Sequence, residues 1–156
     1  FRHAVDRISA ISMLHDQLAM RPDQPTIDTA AYLEALCGNL RHRCAGIVID
    51  TRLDNAELSH ERAVSLGLIT NELVTNAVKY AFPDGSGTVR VEFTADEGRG
   101  QGCLIVADNG IGMGEPRPGS TGLTLVAGLA QQLGGEVEQE PTERGTKFRL
   151  CFLLVR

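Results

Sequence analysis

Between residues 4 and 20, Val5, Ile8, Ile11, Ser12, Leu14, His15 and Leu18 recur at helical spacing. Arg21-Pro22 and Gln24-Pro25 end that helix, since proline lacks the amide hydrogen and restricts the residue before it. Thr26 or Asp28 can cap a second helix, whose apolar stripe runs through Tyr32, Leu33, Leu36 and Leu40. Ile47 to Leu53 alternates like a strand. Ser59 can cap a long helix from His60 to about Ala81, and the Pro83–Gly87 cluster is a turn. Thr88 to Thr94 alternates again, and the apolar run at 103–107 predicts a buried strand. A glycine-rich loop of about 14 residues follows, long for a compact domain. Gly122 to Leu133 is a helix closed by Gly134-Gly135, and 136–139 with 146–154 form a last hairpin. The order is helix, helix, strand, helix, strand, strand, helix, strand, strand. It predicts an α+β fold, a two-layer sandwich whose mixed, hairpin-built sheet is covered on one face by helices. The leading helix pair is a possible appendage.

Composition narrows this. With 156 residues, 42% hydrophobic and 22% charged, the chain can bury a core of its own. A net charge of -5 lacks the basic surplus of a general nucleic-acid binder. No apolar run approaches the roughly 18 residues of a membrane helix. No membrane contact is expected of this segment, and a cytoplasmic location is, with a tether elsewhere in a parent protein left open. The start at Phe1 rather than Met reads as a fragment or a processed product. Cys37, Cys44, Cys103 and Cys151 show no metal-site spacing and are expected as reduced structural thiols, with Cys103 and Cys151 as small core residues.

Four places could carry chemistry. On the long helix, Glu72, Asn76 and Lys79 fall within about 60° of one another, opposite Leu66, Leu73, Val74 and Ala77. A carboxylate, an amide and an ammonium in one row suit a polyphosphate with its metal: Asn can ligate Mg²⁺, Lys can neutralise phosphate, and Glu can deprotonate a hydroxyl or water. Taken alone, the row also reads as a solvated polar face. Asp108-Asn109-Gly110-Ile111-Gly112 follows the buried strand. An Asp there can accept from an exocyclic amine and the glycines let backbone approach a flat ring, although the same residues make an ordinary turn. Gly119-Ser120-Thr121-Gly122-Leu123 feeds a helix N-terminus, which favours anions. Gly145-Thr146 is a weaker candidate that also reads as a hairpin turn.

Taken together, NELVTNAVKYAFP (71–83), DNGIGM (108–113), GSTGLTLV (119–126) and RGTKF (144–148) resemble the nucleotide-binding boxes of the ATPase superfamily shared by gyrase, the Hsp90 chaperones, histidine kinases and MutL. The resemblance covers residues 47–154. RISAISMLHDQL (7–18), IDTAAYLEALCGNL (27–40) and Tyr80–Pro83 are similar to bacterial sensor histidine kinases of the HWE and HisKA_2 type. It implies that Asn76 ligates Mg²⁺ with Asn71 and Glu72 close by, that Lys79 reaches phosphate, and that Tyr80 lines the pocket. It implies that Asp108 binds the adenine amino group, that Gly110 and Gly112 let the loop pass the base, and that Thr146 sits near adenine. Residues from Met113 through Gly119, Ser120 and Thr121 would form a lid over the phosphates, with Gly122 and Leu123 at the helix start behind it and Arg117 as its candidate cation. The family's Gly-x-Gly-Leu is Ser120-Thr121-Gly122-Leu123 here, a departure at the phosphate contact. None of His3, His15, His42 and His60 is taken as the phosphoacceptor, whose helix would lie upstream.

The resemblance thus implies residues 1–43 as part of the dimerisation and phosphoacceptor hairpin with a linker helix, and 44–156 as an ATP-binding catalytic domain. The expected enzyme is a histidine kinase that takes Mg-ATP and passes the γ-phosphoryl group to a His outside the chain, for relay to a response-regulator Asp. Implied partners are that receiver domain, the upstream phosphoacceptor helix, a sensor domain and a second copy through the helix pair. Two other readings stay open: an anti-sigma-type serine kinase, and a nucleotide-free adapter that docks a response regulator.

Overall fold

A computed structural model describes residues 26–44, 46–111, 121–140 and 142–154, together with Ser12. The expected first helix at 4–20 and most of the expected lid lie outside the described residues. The described elements run β1 (Thr26–Asp28), α1 (Thr29–Arg43), β2 (Ile47–Leu53), β3 (Glu57–Ser59), α2 (His60–Tyr80), β4 (Gly87–Asp96), β5 (Gln101–Asp108), α3 (Thr121–Leu133), β6 (Val137–Glu140) and β7 (Lys147–Leu153).

Five strands form one mixed sheet in the order β2-β4-β5-β7-β6. The β2/β4 pair is parallel, with α2 in the connection between them, and the other pairs are antiparallel. Alternation decides which side chains meet the helices. Phe93, Leu104 and Leu150 stand side by side across three strands, and Val91, Val106 and Phe148 form the next row. All six are buried in the core shared with α1, α2 and α3. The predicted α+β sandwich is therefore the observed architecture.

The sequence pattern missed β1 and β3. Each has three residues, too few for alternation to register, yet they pair antiparallel with Ile27 opposite Leu58, both buried. Each strand ends on a helix cap. Asp28 Oδ1 accepts from Ala31 N at 3.1 Å, and Ser59 Oγ accepts from Arg62 N at 3.3 Å. The small ladder thereby fixes the starts of α1 and α2 beside each other. Where both Thr26 and Asp28 could have capped α1, the structure uses Asp28.

Helix α1 is no loose appendage. Tyr32, Leu33, Leu36 and Leu40 join the common core. The Tyr32 ring lies over Gly67 of α2, where a Cβ would come within 2.3 Å of the hydroxyl oxygen. Burial pushes the Tyr32 hydroxyl well above its usual pKa.

One expectation fails here. Cys103 and Cys151 are neither reduced nor in the core: they form a disulfide, with Cα atoms 4.1 Å apart. The reason is parity. Leu104 and Val106 face the helices, so Cys103 faces the other side of the sheet, where Cys151 stands directly opposite on β7. The apolar run at 103–107 hid this alternation.

Candidate functional site

The site begins on α2. Of the expected row, Glu72 and Asn76 are 0% and 5% exposed, as is neighbouring Asn71 at 1%, so a solvated face describes only Lys79 at its end. The sheet covers one side of α2, while α1 and α3 pack along others. Three strongly polar side chains are thus withdrawn from water, which requires compensating partners. Thr70 is satisfied locally through Leu66 O at 2.8 Å, but Asn71 Nδ2 has no hydrogen-bond partner among the described residues. Lys79 and Tyr80 lie at the exposed end of the same helix, both in its last turn.

Asp108 is the last residue of β5. It continues the helix-facing row after Val106 and Leu104, so its carboxyl shares a side with the core. Its backbone amide donates to Thr146 O at 2.9 Å. Its Oδ1 accepts from Gly110 N at 2.9 Å and from Thr146 N at 3.3 Å. One carboxylate oxygen is thereby held by two backbone amides, and Oδ2 is the oxygen left to act outward. Burial pushes the carboxyl above the ordinary Asp range, while the two amide donors pull it back down.

Two glycines make this geometry possible. A Cβ on Gly110 would fall 2.1 Å from Ala81 O, because the loop after β5 lies directly on the end of α2. Ile111 N donates to that same carbonyl at 2.9 Å. Gly145 has φ +86°, and a Cβ there would fall 1.9 Å from Asp108 O. The pair Gly145-Thr146 is therefore more than a hairpin turn, since it supplies one wall and one donor of the cradle. Thr146 is itself buried.

Sequence reasoning missed a role for Asn109. Its side-chain oxygen accepts from Thr88 N at 2.9 Å, and its backbone N–H donates to Thr88 O at 3.2 Å, tying the loop to β4. An amide side chain between a strand end and a glycine was the available signal.

The structure thus brings Asp108, Gly110 and Thr146 together against the end of the helix that carries Asn71, Glu72 and Asn76. Gly112, Met113, Arg117, Gly119 and Ser120 lie outside the described residues. Thr121, Gly122 and Leu123 open α3. Among the histidines, His42 falls in the basic last turn of α1 and His60 opens α2, while His3 and His15 lie outside the described residues.

A carboxylate pinned at a strand end, beside a helix carrying buried Asn and Glu, is an arrangement that the sequence alone placed in one superfamily. The family model for histidine kinase-, DNA gyrase B- and HSP90-like ATPases matches residues 61–156. The chain belongs to this ATPase family. Residues 1–44 match a second model, HisKA_2, described as histidine kinase. Blue-light-activated histidine kinase 2 of Erythrobacter litoralis is 28% identical over 151 residues, covering 90% of this chain and 43% of that protein. Sensor histidine kinase PdtaS of Mycobacterium tuberculosis is 28% identical, covering 92% of this chain and 30% of that protein. The chain spans less than half the length of these relatives. Among solved structures, the histidine kinase domain from the Erythrobacter litoralis EL346 blue-light-activated histidine kinase superposes with a TM-score of 0.88 at 27% identity, covering 99% of this chain and 76% of that one. The fold is that of a histidine kinase catalytic domain.

Proposed function

We propose that this ATPase-family chain is the nucleotide-binding and phosphoryl-transferring part of a sensor histidine kinase. The observation that carries the reading is the Asp108 cradle: a carboxylate fixed by two backbone donors, facing the helix side beside buried Asn71, Glu72 and Asn76. An adenine amino group is the matching donor for Asp108 Oδ2. Residues 44–156 form the catalytic domain in this proposal, and residues 1–43 belong to the dimerisation and phosphoacceptor hairpin with its linker helix.

The donor set fits Mg²⁺. A carboxamide oxygen on Asn76, with Asn71 and Glu72 in the same helical segment, offers the hard oxygen ligands this ion takes few of. The Asn71 Nδ2 donor, without a hydrogen-bond partner among the described residues, suits a phosphate oxygen rather than the ion itself. When bound, the ion would supply neutralisation of phosphate charge. The chain's own residues do the positioning. Lys79 balances phosphate charge, Glu72 accepts a proton from the attacking imidazole, Tyr80 and Gly112 line the nucleotide pocket, and residues 113–121 cover the phosphates, with Gly122 and Leu123 at the helix start behind them. The acceptor is a His outside the chain, and a response-regulator Asp receives the phosphoryl group next. A cytoplasmic setting and a homodimer through the helical segment complete the proposal. The match of residues 1–44 to a histidine kinase model favours histidine over serine as the acceptor.

Calorimetric titration with ATP, with and without Mg²⁺, tests this. Saturable binding that strengthens with Mg²⁺ is expected. Absence of binding up to millimolar ATP in a folded sample would overturn the kinase reading and favour the adapter that docks a response regulator.

A further inference from the structure

The face of the sheet away from the helices carries chemistry that phosphoryl transfer does not use. Cys103 and Cys151 lie there, both partly exposed, in register on β5 and β7. Cys151 also lines a cleft of about 490 Å³ together with Gln131, Gly135, Glu138 and Arg149. We propose that this pair is a thiol–disulfide exchange site, open to small or protein-borne dithiols, whose redox state sets how firmly the Asp108–Thr146 cradle is held.

Three observations carry this. First, access is selective. Of the two free cysteines, Cys44 is partly exposed but far from the pair in sequence, and Cys37 is fully buried with its thiol pushed up to about 12 by that burial, whereas the bonded pair meets solvent and a cleft. Second, the sheet itself keeps the sulfurs adjacent. The ladder from Gln101↔Leu153 to Ala107↔Lys147 brackets the pair, so reduction leaves both thiols poised to re-form the bond. Third, the bond crosses the two strands that end in the site. Asp108 lies five residues beyond Cys103, and Thr146 lies five residues before Cys151. The turn after α3 also rests on Cys151, because a Cβ on Gly135 would fall 2.3 Å from Cys151 O.

The exchange balances. A thiolate of the dithiol attacks Cys151 Sγ from the cleft, the S–S bond breaks, and Cys103 leaves as a thiolate that takes a proton. The second thiol of the reductant then displaces Cys151 from the mixed disulfide. Two electrons pass to the protein, which ends as two thiols, and the reductant ends as a disulfide.

The test uses protein purified without reductant and treated with graded dithiothreitol, then tagged with a maleimide and mapped by mass spectrometry. Cys103 and Cys151 should become labelled only on reduction while circular dichroism stays native, Cys37 stays unlabelled and the partly exposed Cys44 is labelled with or without dithiothreitol. Reduction should lower the thermal midpoint by about 10 °C, since the bond closes a long loop. It should also speed hydrogen exchange at the Asp108 and Gly110 amides by about tenfold. The double variant Cys103→Ser, Cys151→Ser should match the reduced protein; if it fails to fold, the reduced wild type carries the test. The proposal is overturned by a bond that yields only on unfolding, by thiols that stay free under oxidised glutathione, or by unchanged exchange at the two amides. These readouts need no nucleotide, so they separate from failure of the kinase reading.

Discussion

The polar groups on the helix side of the sheet and the charged groups on the surface follow opposite rules. On the helix side, Asn71, Glu72, Asn76, Asp108 and Thr146 are buried or half-buried, and backbone atoms hold Asp108 in place. On the surface, opposite charges pair with one another. Glu140 meets Lys147 at 3.3 Å and also Arg149, and Glu34 meets Arg41 at 2.7 Å. Exposed pairs of that kind contribute little to stability, because water already solvates both partners. Burying polar groups is expensive, so the fold keeps them for something beyond its own stability. The contrast is the reason the proposed function is placed on the helix side.

The strongest way to break the contrast is to push the backbone of the cradle apart. Gly145→Val places a branched side chain at φ +86° and against Asp108 O. Strain and overlap together should cost about 3–5 kcal/mol, at the upper end for one substitution. The thermal midpoint should fall by about 10 °C, and nucleotide binding should vanish with it. A stable variant that still binds ATP would mean the hairpin wall is not part of the site.

A subtler change separates cradle shape from cradle charge. Asp108→Asn keeps an oxygen for Gly110 N and Thr146 N but turns an NH₂ toward the adenine amine, donor against donor. ATP affinity should drop by about 10- to 100-fold, the range for a hydrogen bond to a charged group. Stability of the ligand-free protein should stay level or rise slightly. The pH dependence has two opposed parts. Burial raises the Asp108 pKa, so its ionisation opposes folding. Its contribution to stability is present at low pH and lost as pH rises through the raised folded value. Nucleotide affinity should run the other way, falling as acid protonates the acceptor. Calorimetry between pH 4 and 7 would show both, and affinity flat across that range would remove Asp108 from recognition.

How much of this was legible in the sequence follows from range. The α2 cap at Ser59, the turn at Pro83–Gly87 and the strand ending at Asp108 depend on neighbours within a few residues, and periodicity exposes them. Glu72 and Asn76 were readable as a row but not as buried, because burial depends on α1, α3 and the sheet arriving from elsewhere in the chain. Gly145 looked like turn chemistry, since its clash partner Asp108 is distant in sequence. The same holds for Cys103 and Cys151, paired across a separation of 48 residues. The three-residue strands β1 and β3 carried too few positions to show a period.

Arg62 tests whether the helix side can be loosened without touching the cradle. Its guanidinium carbon lies 5.5 Å from the centre of the Phe152 ring, and it donates to Leu133 O at 3.5 Å and to Leu153 O. It ties the start of α2 to the end of α3 and the end of β7. Arg62→Ala should destabilise by about 1–3 kcal/mol, through lost hydrogen bonds and lost packing over the ring. Urea unfolding would measure this, with nucleotide affinity of the folded fraction changing less than twofold. A large affinity loss instead would show that the far end of α2 controls the site.

The smallest effect belongs to the surface network between α1 and β2. Glu34 accepts from Thr51 Oγ1 at 2.6 Å and from Arg41 at 2.7 Å, while Arg41 Nε also donates to Ile49 O at 2.9 Å. The Thr51 hydrogen bond, above all, holds the Glu34 carboxyl below its ordinary range against the opposing effect of burial, with Arg41 adding to it. A lowered carboxylate contributes stability above its unfolded pKa and loses it as pH falls through the lower folded value. Glu34→Gln should therefore shift the thermal midpoint at neutral pH by only about 1–2 °C, because solvent screens the pair. The difference should shrink further in molar salt and disappear in acid. A shift as large as that of Arg62→Ala would mean that surface pairing in this fold contributes as much as the contacts beneath it, and the contrast between its two polar regions would fail.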